Sequence, residues 1–374
     1  MKIGITCYPT YGGSGAVATE LGLALAERGH EVHFVTYAQP FRLVGLHDRV
    51  SFHEVEMEDY PLFEHPPYSL ALAVALHDVV RREGLDLVHM HYAIPHAASA
   101  FLAKQMLAEE RPLKIVTTLH GTDITLVGLH PSFHAITRFS ILQSDGITAV
   151  SSWLKDQTVR DFTVPDDRID VIPNFVDPRT WRPNREPCHR SKLAEKGQKI
   201  VMHVSNYRPV KRAQDVVEIF AKIRETVPAR LVLVGDGPDR PRALARAAEL
   251  GLREHVLFVG RHAAPEELLS CADLFLLPSA SESFGLAALE AMACGAPVVT
   301  STTGGLPEVV EDGVSGHTFP VGELDRMAEA GVRILTDPEH AKALSAAGRK
   351  VAEERFSIDV VVPKYEAMYE RVLG

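Results

Sequence analysis

The chain has 374 residues, of which 46% are hydrophobic and 24% charged, and its formal net charge is −10. A chain of this length is too long for one typical hydrophobic core, so we expect two domains. The acidic balance argues against nucleic acid and anionic membranes as partners. No signal-peptide pattern and no apolar run of membrane-spanning length is visible, which predicts a soluble cytoplasmic protein without stable membrane association.

Short β-branched segments alternate with helical patterns along the chain. The predicted strands are 2–7, 31–37, 86–90, 113–119 and 146–150 in the first half, and 199–204, 230–234, 256–259, 273–277 and 297–301 in the second half. This alternation predicts an α/β fold with two doubly wound parallel sheets, whose ligand sites lie at the carboxyl ends of strands. Periodicity lapses between 171 and about 196, so we expect one domain at 1–175 and another at 176–357.

A glycine-rich turn, Gly-Gly-Ser-Gly at 12–15, lies between the first strand and an apolar helical pattern that ends at Gly29. Glycines at this place let the backbone approach a ligand at a helix N-terminus. A tight turn without a ligand explains them equally well. A dinucleotide site is not indicated, because it requires G-x-G-x-x-G and an acid after the second strand, which here ends in Thr36 and Tyr37.

Histidines and cysteines give little support for a metal site. His120 follows a predicted strand beside a glycine, so we expect it to line a site rather than fill the core. Possible metal ligands are His89, His91 and His96, yet no further ligand at a suitable spacing completes a metal site. The cysteines, which are Cys7, Cys188, Cys271 and Cys294, are scattered and form no C-x-x-C pair. They indicate reduced thiols rather than disulfides or zinc.

A basic cluster follows the first strand of the second half. Arg208, Lys211 and Arg212 fall in a loop where an α/β sheet presents its ligands. A diphosphate would be met by lysine as a point charge and by arginine as a fork. Taken alone, a cluster of this size is more often a solvated face.

Two glutamates, Glu282 and Glu290, lie eight residues apart around a short apolar helix predicted at 285–293, with Ser283 as its N-cap and Gly295 as its stop. Eight residues rotate by roughly 80° beyond two turns and rise about 12 Å, so the carboxylates have separate roles. Backbone N–H groups at the helix start would bind an anionic or hydroxyl-rich ligand, and the inner glutamate would accept from a diol such as a ribose. The alternative is an ordinary capped helix with two solvated glutamates.

This Glu-x7-Glu pattern, followed by Ala-Met-Ala-x-Gly-x-Pro-Val, resembles the nucleotide-sugar signature of retaining glycosyltransferases of family 4. The resemblance implies the GT-B fold, in which two Rossmann-like domains face a central cleft, and a helix at about 358–374 that returns to the first domain. Segments 2–15, 91–96, 117–125 and 205–212 are similar to a subgroup that transfers N-acetylglucosamine from UDP-GlcNAc to L-malate in bacillithiol biosynthesis. The resemblance to the family implies a retaining enzyme that needs no metal and no cofactor.

The resemblance also implies residue roles. The donor would be bound by Gly13, Gly15, Asn206, Arg208, Lys211, Glu282, Ser283, Phe284, Gly285, Leu286 and Glu290. The acceptor would be bound by Ser14, Tyr92, Thr118 and Arg138, and the catalytic residues would be His120, Lys211, Arg208 and Glu282. The family has an arginine five residues before the lysine, where this chain has Asn206, while Arg208 lies three before it. The alternative for Arg138 is a side chain that packs its stem on an apolar helix and extends its charge to water.

No aspartate or glutamate is placed as a nucleophile, so the expected mechanism is front-face substitution. The leaving β-phosphate oxygen would take the proton from the malate hydroxyl as the new bond forms on the same face. Lys211, Arg208 and the helix N-terminus would stabilise the charge, helped by positioning as the domains close. An inositol phosphate or lipid-linked acceptor, a UDP-sugar epimerase and a non-enzymatic sensor stay open, as does homo-oligomerisation.

Overall fold

The computed structural model describes residues 1–10, 12–57, 65–183 and 189–374. The chain forms two compact units. The first consists of Met1–Pro173 together with Val361–Gly374, and the second of Asn174–Val360. Part of the linker expected at 171–196, including Cys188, lies outside the described residues.

Within the described residues, the first unit contains a sheet of seven parallel strands. They are β1 (Lys2–Thr6), β2 (Glu31–Thr36), β3 (Val50–Glu54), β4 (Leu87–His91), β5 (Lys114–Leu119), β6 (Gly146–Ala149) and β7 (Ile169–Val171). Their order is β3-β2-β1-β4-β5-β6-β7, so the direction of winding reverses between β1 and β4. The helices are α1 (Gly13–Glu27), α2 (Tyr68–Val79), α3 (Ala98–Met106), α4 (Pro131–Leu142) and α5 (Ser152–Phe162).

The described part of the second unit contains a six-stranded parallel sheet of the same winding. Its strands are β8 (Lys199–Val204), β9 (Ala229–Val234), β10 (Val256–Gly260), β11 (Leu274–Leu277), β12 (Val298–Ser301) and β13 (His317–Phe319). The order is β10-β9-β8-β11-β12-β13, which reverses between β8 and β11. The helices are α6 (Arg190–Leu193), α7 (Ala213–Arg224), α8 (Arg240–Glu249), α9 (Pro265–Leu269), α10 (Leu286–Ala293), α11 (Leu306–Val309), α12 (Leu324–Thr336) and α13 (Pro338–Arg355).

The predicted α/β class with two parallel sheets is confirmed, and each predicted strand is present with ends shifted by at most one residue. Three further strands, β3, β7 and β13, lie at sheet edges and are not predicted. An edge strand pairs with one neighbour only and leaves its other edge open, so its sequence carries a weaker apolar pattern. β3 contains no fully buried residue, and β7 and β13 are three residues long.

The last helix, α14 (Ile358–Leu373), supplies polar contacts to the first unit. The hydroxyl of Tyr369 lies 2.8 Å from Nδ1 of the buried His89, and Arg371 forms an ion pair with Asp170. None of the helices in the described ranges is long and apolar enough to cross a membrane.

Candidate functional site

The predicted site residues fall mainly in loops beside the two reversals of strand order. In the first unit these loops follow β1 and β4, and in the second unit they follow β8 and β11. Neighbouring loops diverge at such a reversal, which leaves a crevice at the carboxyl ends of the strands where open α/β sheets bind ligands. Each unit therefore has a candidate site of its own.

In the second unit, a largely buried ion pair joins the loops after β8 and β11. Nζ of Lys211 lies 2.6 Å from Oε1 of Glu282, and the two side chains are 21% and 9% exposed. Oγ of Ser279 donates to the same carboxylate oxygen at 2.8 Å. A charged pair at low exposure is held firmly because water competes weakly for it. The geometry fixes the lysine cation at the reversal, where it can meet an anionic ligand.

Other residues of the β8 loop differ in exposure. Arg208 is exposed and directly precedes a 3₁₀ turn, Pro209–Lys211. Asn206 is half-buried, and its Oδ1 is buried without a hydrogen-bond partner among the described residues. The guanidinium of Arg212 binds Asp215 at 2.6 Å, in the first turn of α7. Arg212 is therefore engaged locally, whereas Arg208 has freedom to reach a ligand.

Two glycines after β9 press against the β8 loop. A Cβ at Gly235 would lie 1.9 Å from the carbonyl oxygen of Ser205, and one at Gly237 would lie 1.9 Å from that of Asn206. No side chain fits at such distances, so these positions require glycine. Neither is among the site residues named from the sequence, although Gly-Asp-Gly directly after a strand is a recognisable signal.

The start of α10 differs from the prediction. The expected N-cap at Ser283 is wrong, because the cap residue is Gly285, whose φ of 101° is left-handed and which lacks a side chain to cap with. A Cβ there would also lie 2.4 Å from the side chain of Leu306. Leu286 is the first helical residue, and Phe284 is buried with its ring edge-on to Phe356.

The two glutamates of the pattern are both buried. As whole residues, Glu282 is 8% exposed and Glu290, inside α10, is 7% exposed. The alternative of an ordinary capped helix with two solvated glutamates is therefore wrong. The carbonyl of Glu282 accepts the N–H of Gly305 at 2.9 Å. A Cβ at Gly304 would lie 1.8 Å from the same carbonyl oxygen. The loop after β12 thus supports Glu282 from behind. The predicted helix stop at Gly295 is confirmed by its φ of 80°.

In the first unit, the loops after β1 and β4 are joined by hydroxyl groups. Tyr92 donates from its hydroxyl to Oγ of Ser14 at 2.9 Å. Gly13 begins α1 and is exposed, and a Cβ at Gly15 would lie 2.4 Å from the carbonyl of Tyr8. Tyr92 has a φ of 93°, a strained value for a residue with a side chain. Such strain persists where the surroundings hold the residue firmly.

A group of histidine rings lies beside Tyr92. Nε2 of His120 lies 2.8 Å from Nδ1 of His91, whose ring stacks on that of His89 with centroids 4.4 Å apart. The rings of Tyr92 and His120 are 5.3 Å apart. Burial lowers the pKa of His120 to about 3 and that of His89 to about 3, so both rings are neutral near pH 7. No metal-binding cluster of His, Cys, Asp or Glu occurs in the described ranges.

A buried carboxylate, Asp123, ties the loops after β4 and β5 together. It accepts the backbone N–H groups of Ala93 and Gly121, each at 3.0 Å. Burial raises its pKa to about 6, against the lowering effect of those hydrogen bonds. Asp123 is not among the predicted site residues, yet it shapes the turn that carries His120.

Thr118 and Arg138 are placed differently from the other predicted acceptor residues. Thr118 is fully buried, with Oγ1 lying 2.7 Å from Nε2 of His89, and its carbonyl accepts the N–H of Tyr92 at 3.0 Å. Arg138 is exposed on α4, and its Nε donates to the carbonyl of Phe162 at 2.9 Å. Thr118 therefore supports Tyr92 through the backbone, whereas Arg138 is anchored at the surface.

Two family models together match most of the chain. The model of Glycosyltransferase Family 4 matches residues 11–180, and that of Glycosyl transferases group 1 matches residues 184–351. The first match ends at residue 180, a few residues beyond the division between the two units at Pro173 and Asn174.

Two named relatives match the chain over almost its full length, and a solved structure shares its fold. N-acetyl-alpha-D-glucosaminyl L-malate synthase of Bacillus anthracis is 46% identical over 374 residues, covering 100% of this chain and 97% of that protein. D-inositol 3-phosphate glycosyltransferase of Thermobispora bispora is 28% identical over 396 residues, covering 97% of this chain and 90% of that protein. Sucrose-phosphate synthase from Thermosynechococcus elongatus has a TM-score of 0.82 at 22% identity, covering 100% of this chain and 99% of that one. The last comparison shows a shared fold.

Proposed function

Because the chain belongs to glycosyltransferase family 4 and has the GT-B fold, we propose that it transfers N-acetylglucosamine from UDP-GlcNAc to the hydroxyl of L-malate. The products are UDP and α-linked GlcNAc-malate, the first intermediate of bacillithiol biosynthesis. The observation that carries this proposal is the 46% identity, over the full chain, to the Bacillus anthracis enzyme named for N-acetylglucosamine and L-malate.

The donor is held by the second unit. Lys211 binds the diphosphate, and because an ammonium group has three donors it can do so while keeping its bond to Glu282. Arg208, exposed on the same loop, supplies a second cation, and the N-terminus of α10 adds backbone N–H groups. Glu282 also binds sugar hydroxyls, and Glu290 binds the ribose diol.

Transfer proceeds by front-face substitution. The bond between the anomeric carbon and the β-phosphate oxygen breaks while the malate oxygen bonds to the same face of that carbon. The leaving phosphate oxygen takes the proton of the malate hydroxyl, so no protein base is needed. Lys211 and Arg208 stabilise the negative charge that develops on the leaving diphosphate. His120 is neutral, since burial lowers its pKa to about 3, and it positions the sugar by hydrogen bonding rather than by charge.

The acceptor is held by the first unit. Ser14 and Tyr92 form a pair of hydroxyls beside His120, and such groups bind a carboxylate. Thr118 orients Tyr92 through its carbonyl. Arg138 supplies the positive charge that a dianion requires, after exchanging its bond to a backbone carbonyl for one to the acceptor.

The acceptor assignment is tested with Arg138→Ala, assayed for the KM of L-malate and the Kd of UDP. We expect a rise in the malate KM of about tenfold or more, as for a lost charge-assisted hydrogen bond, with the Kd of UDP unchanged. Arg160→Ala, another exposed arginine of the first unit, is the matched control and should change neither value. Equal loss of malate and UDP binding in the Arg138 variant would contradict the assignment.

The reaction itself is tested by NMR of the product formed from UDP-GlcNAc and L-malate. An α-linked GlcNAc-malate supports the proposal. An epimerised UDP-sugar formed without any acceptor would identify an epimerase instead. A D-inositol 3-phosphate product is the competing result within the family, since the Thermobispora bispora relative is named for that acceptor.

A further inference from the structure

A buried histidine, His203, connects the two strands that flank the reversal in the second unit. It lies in β8 and is fully buried, and its Nδ1 lies 2.9 Å from the carbonyl oxygen of Leu276 in β11. A carbonyl oxygen only accepts, so Nδ1 carries the hydrogen. Burial lowers the pKa of the ring to about 4, which leaves it neutral near pH 7, and Nε2 is therefore an acceptor.

The other ring nitrogen continues into the β8 loop. Nε2 of His203 lies 2.8 Å from Oγ of Ser205, so the serine hydroxyl donates to the ring. The same Oγ accepts the backbone N–H of Tyr207 at 3.2 Å. The donor and the acceptor of each of these three hydrogen bonds are thereby assigned. A strand of the core is thus connected through two side chains to the backbone of the loop.

Tyr207 is the residue whose conformation this series stabilises. Its φ of 46° is left-handed, and such a conformation persists only where neighbouring contacts enforce it. The ring packs edge-on to that of His203 with centroids 5.9 Å apart, and the carbonyl accepts the N–H of Asp239 at 2.9 Å. Four residues later the chain reaches Lys211. The path of the backbone at Tyr207 consequently determines where that ammonium group lies.

We propose that His203 is a positioning residue for donor binding, which acts through Ser205 and Tyr207 to hold the β8 loop and thereby aim Lys211 at the diphosphate. This inference rests on the function proposed above. His203 itself touches no substrate. Its contribution is preorganisation: a loop that is already ordered loses less conformational entropy when it binds a ligand.

The test compares two amide substitutions of the same ring. The amide of His203→Asn reaches the position of Nδ1 and keeps the bond to Leu276, whereas that of His203→Gln reaches the position of Nε2 and keeps the bond to Ser205. Ser205→Ala breaks the series at its other end. Ser270→Ala is the matched control, because its hydroxyl bonds a helix carbonyl of the same unit elsewhere.

The readouts are the Kd of UDP by titration calorimetry and the KM values of both substrates. We expect His203→Asn and Ser205→Ala to weaken UDP binding about five- to tenfold, the loss typical of one buried hydrogen bond, with the malate KM unchanged. His203→Gln should stay within about twofold of the unsubstituted protein, and the double variant His203→Asn/Ser205→Ala should be no weaker than either single variant.

Each alternative outcome has a distinct meaning. Unchanged UDP binding in both His203→Asn and Ser205→Ala overturns the inference. Equal weakening by Asn and Gln, accompanied by equal falls in thermal midpoint, also overturns it, since the ring would then act only as core. Failure of the unsubstituted protein to bind UDP would instead overturn the proposed donor and, with it, this inference.

Discussion

Acidification should destabilise the first unit more than the second. In the first unit, burial lowers the pKa of His89 to about 3, of His96 to about 4 and of His120 to about 3, and it lowers that of His91 well below its usual value. In the second unit, burial lowers the pKa of His203 to about 4. A histidine with a folded pKa below its unfolded value, about 6.5, leaves stability intact above pH 6.5. That stability is lost as the pH falls, because only the unfolded chain takes up the proton.

The size of the loss follows from those values. Between pH 6.5 and pH 5, each such histidine removes roughly 1 to 2 kcal/mol from the free energy of unfolding. His89, His96 and His120 together remove about 5 kcal/mol, and His91 adds to that loss. Asp123 acts in the opposite direction, because its pKa is raised to about 6, and restores about 1 kcal/mol. The first unit should lose at least about 4 kcal/mol and the second about 2 kcal/mol, out of a typical stability of about 5–15 kcal/mol.

The two units can be followed separately by fluorescence. The chain has two tryptophans, of which Trp153 lies in the first unit and Trp181 in the second. Variants with Trp153→Phe or Trp181→Phe each leave one reporter, and urea unfolding of both at pH 6.5 and pH 5 gives the loss for each unit.

A histidine substitution checks the origin of the effect. His96→Asn retains a donor near the position of Nδ1 but cannot titrate, so it should reduce the acid loss of the first unit by roughly 1 to 2 kcal/mol. His47→Asn changes an exposed histidine of the same unit and should leave the loss unchanged. Equal losses in the two units, or no difference between His96→Asn and His47→Asn, would refute the reasoning.

Three further outcomes are expected. Lys211→Ala should lower kcat about 10²- to 10³-fold, as for loss of a group that stabilises transition-state charge. The double variant Lys211→Ala/Glu282→Gln should recover thermal stability but not kcat, because it removes the buried unpaired charge without restoring the cation. Recovery of kcat in the double variant would show that the lysine only neutralises the glutamate. Gly304→Ala should raise the KM of UDP-GlcNAc, because its Cβ would lie 1.8 Å from the carbonyl oxygen of Glu282. The control Gly322→Ala should leave that KM unchanged, because this glycine also has a positive φ but its Cβ would meet nothing within 4 Å. Equal kinetics in the two variants would contradict the role of the loop after β12. Glu290→Gln should raise the Kd of UDP about tenfold with an unchanged malate KM, measured by calorimetry and initial rates, and unaltered UDP binding would remove Glu290 from the ribose.

Much of the fold follows from the sequence, because parallel strands covered on both faces read as apolar runs separated by helical patterns. β8, predicted at 199–204, has those same bounds in the structure. The edge strand β3 is half-exposed and gives no such run. The N-cap predicted at Ser283 is wrong: serine is a favoured N-cap, whereas the chain turns at the left-handed Gly285 two residues later.

The candidate site is only partly readable from spacing. Lys211 and Glu282 can each be named from local patterns, but their ion pair depends on β8 lying beside β11, because the two residues are 71 positions apart in the sequence. His203 and Asp123 are not predicted, since a buried hydrogen-bond network has no period along the chain. Arg138 is named from resemblance, and its exposed position with a bond to a backbone carbonyl is visible only in the fold.

The measurement that tests the central claim most directly is UDP release from UDP-GlcNAc by the purified protein with EDTA present. The acceptors compared are L-malate, D-malate, D-inositol 3-phosphate and none. We expect release with L-malate alone, at a rate that EDTA does not change. Release that requires D-inositol 3-phosphate, or that proceeds equally without any acceptor, would contradict the proposed transfer to malate.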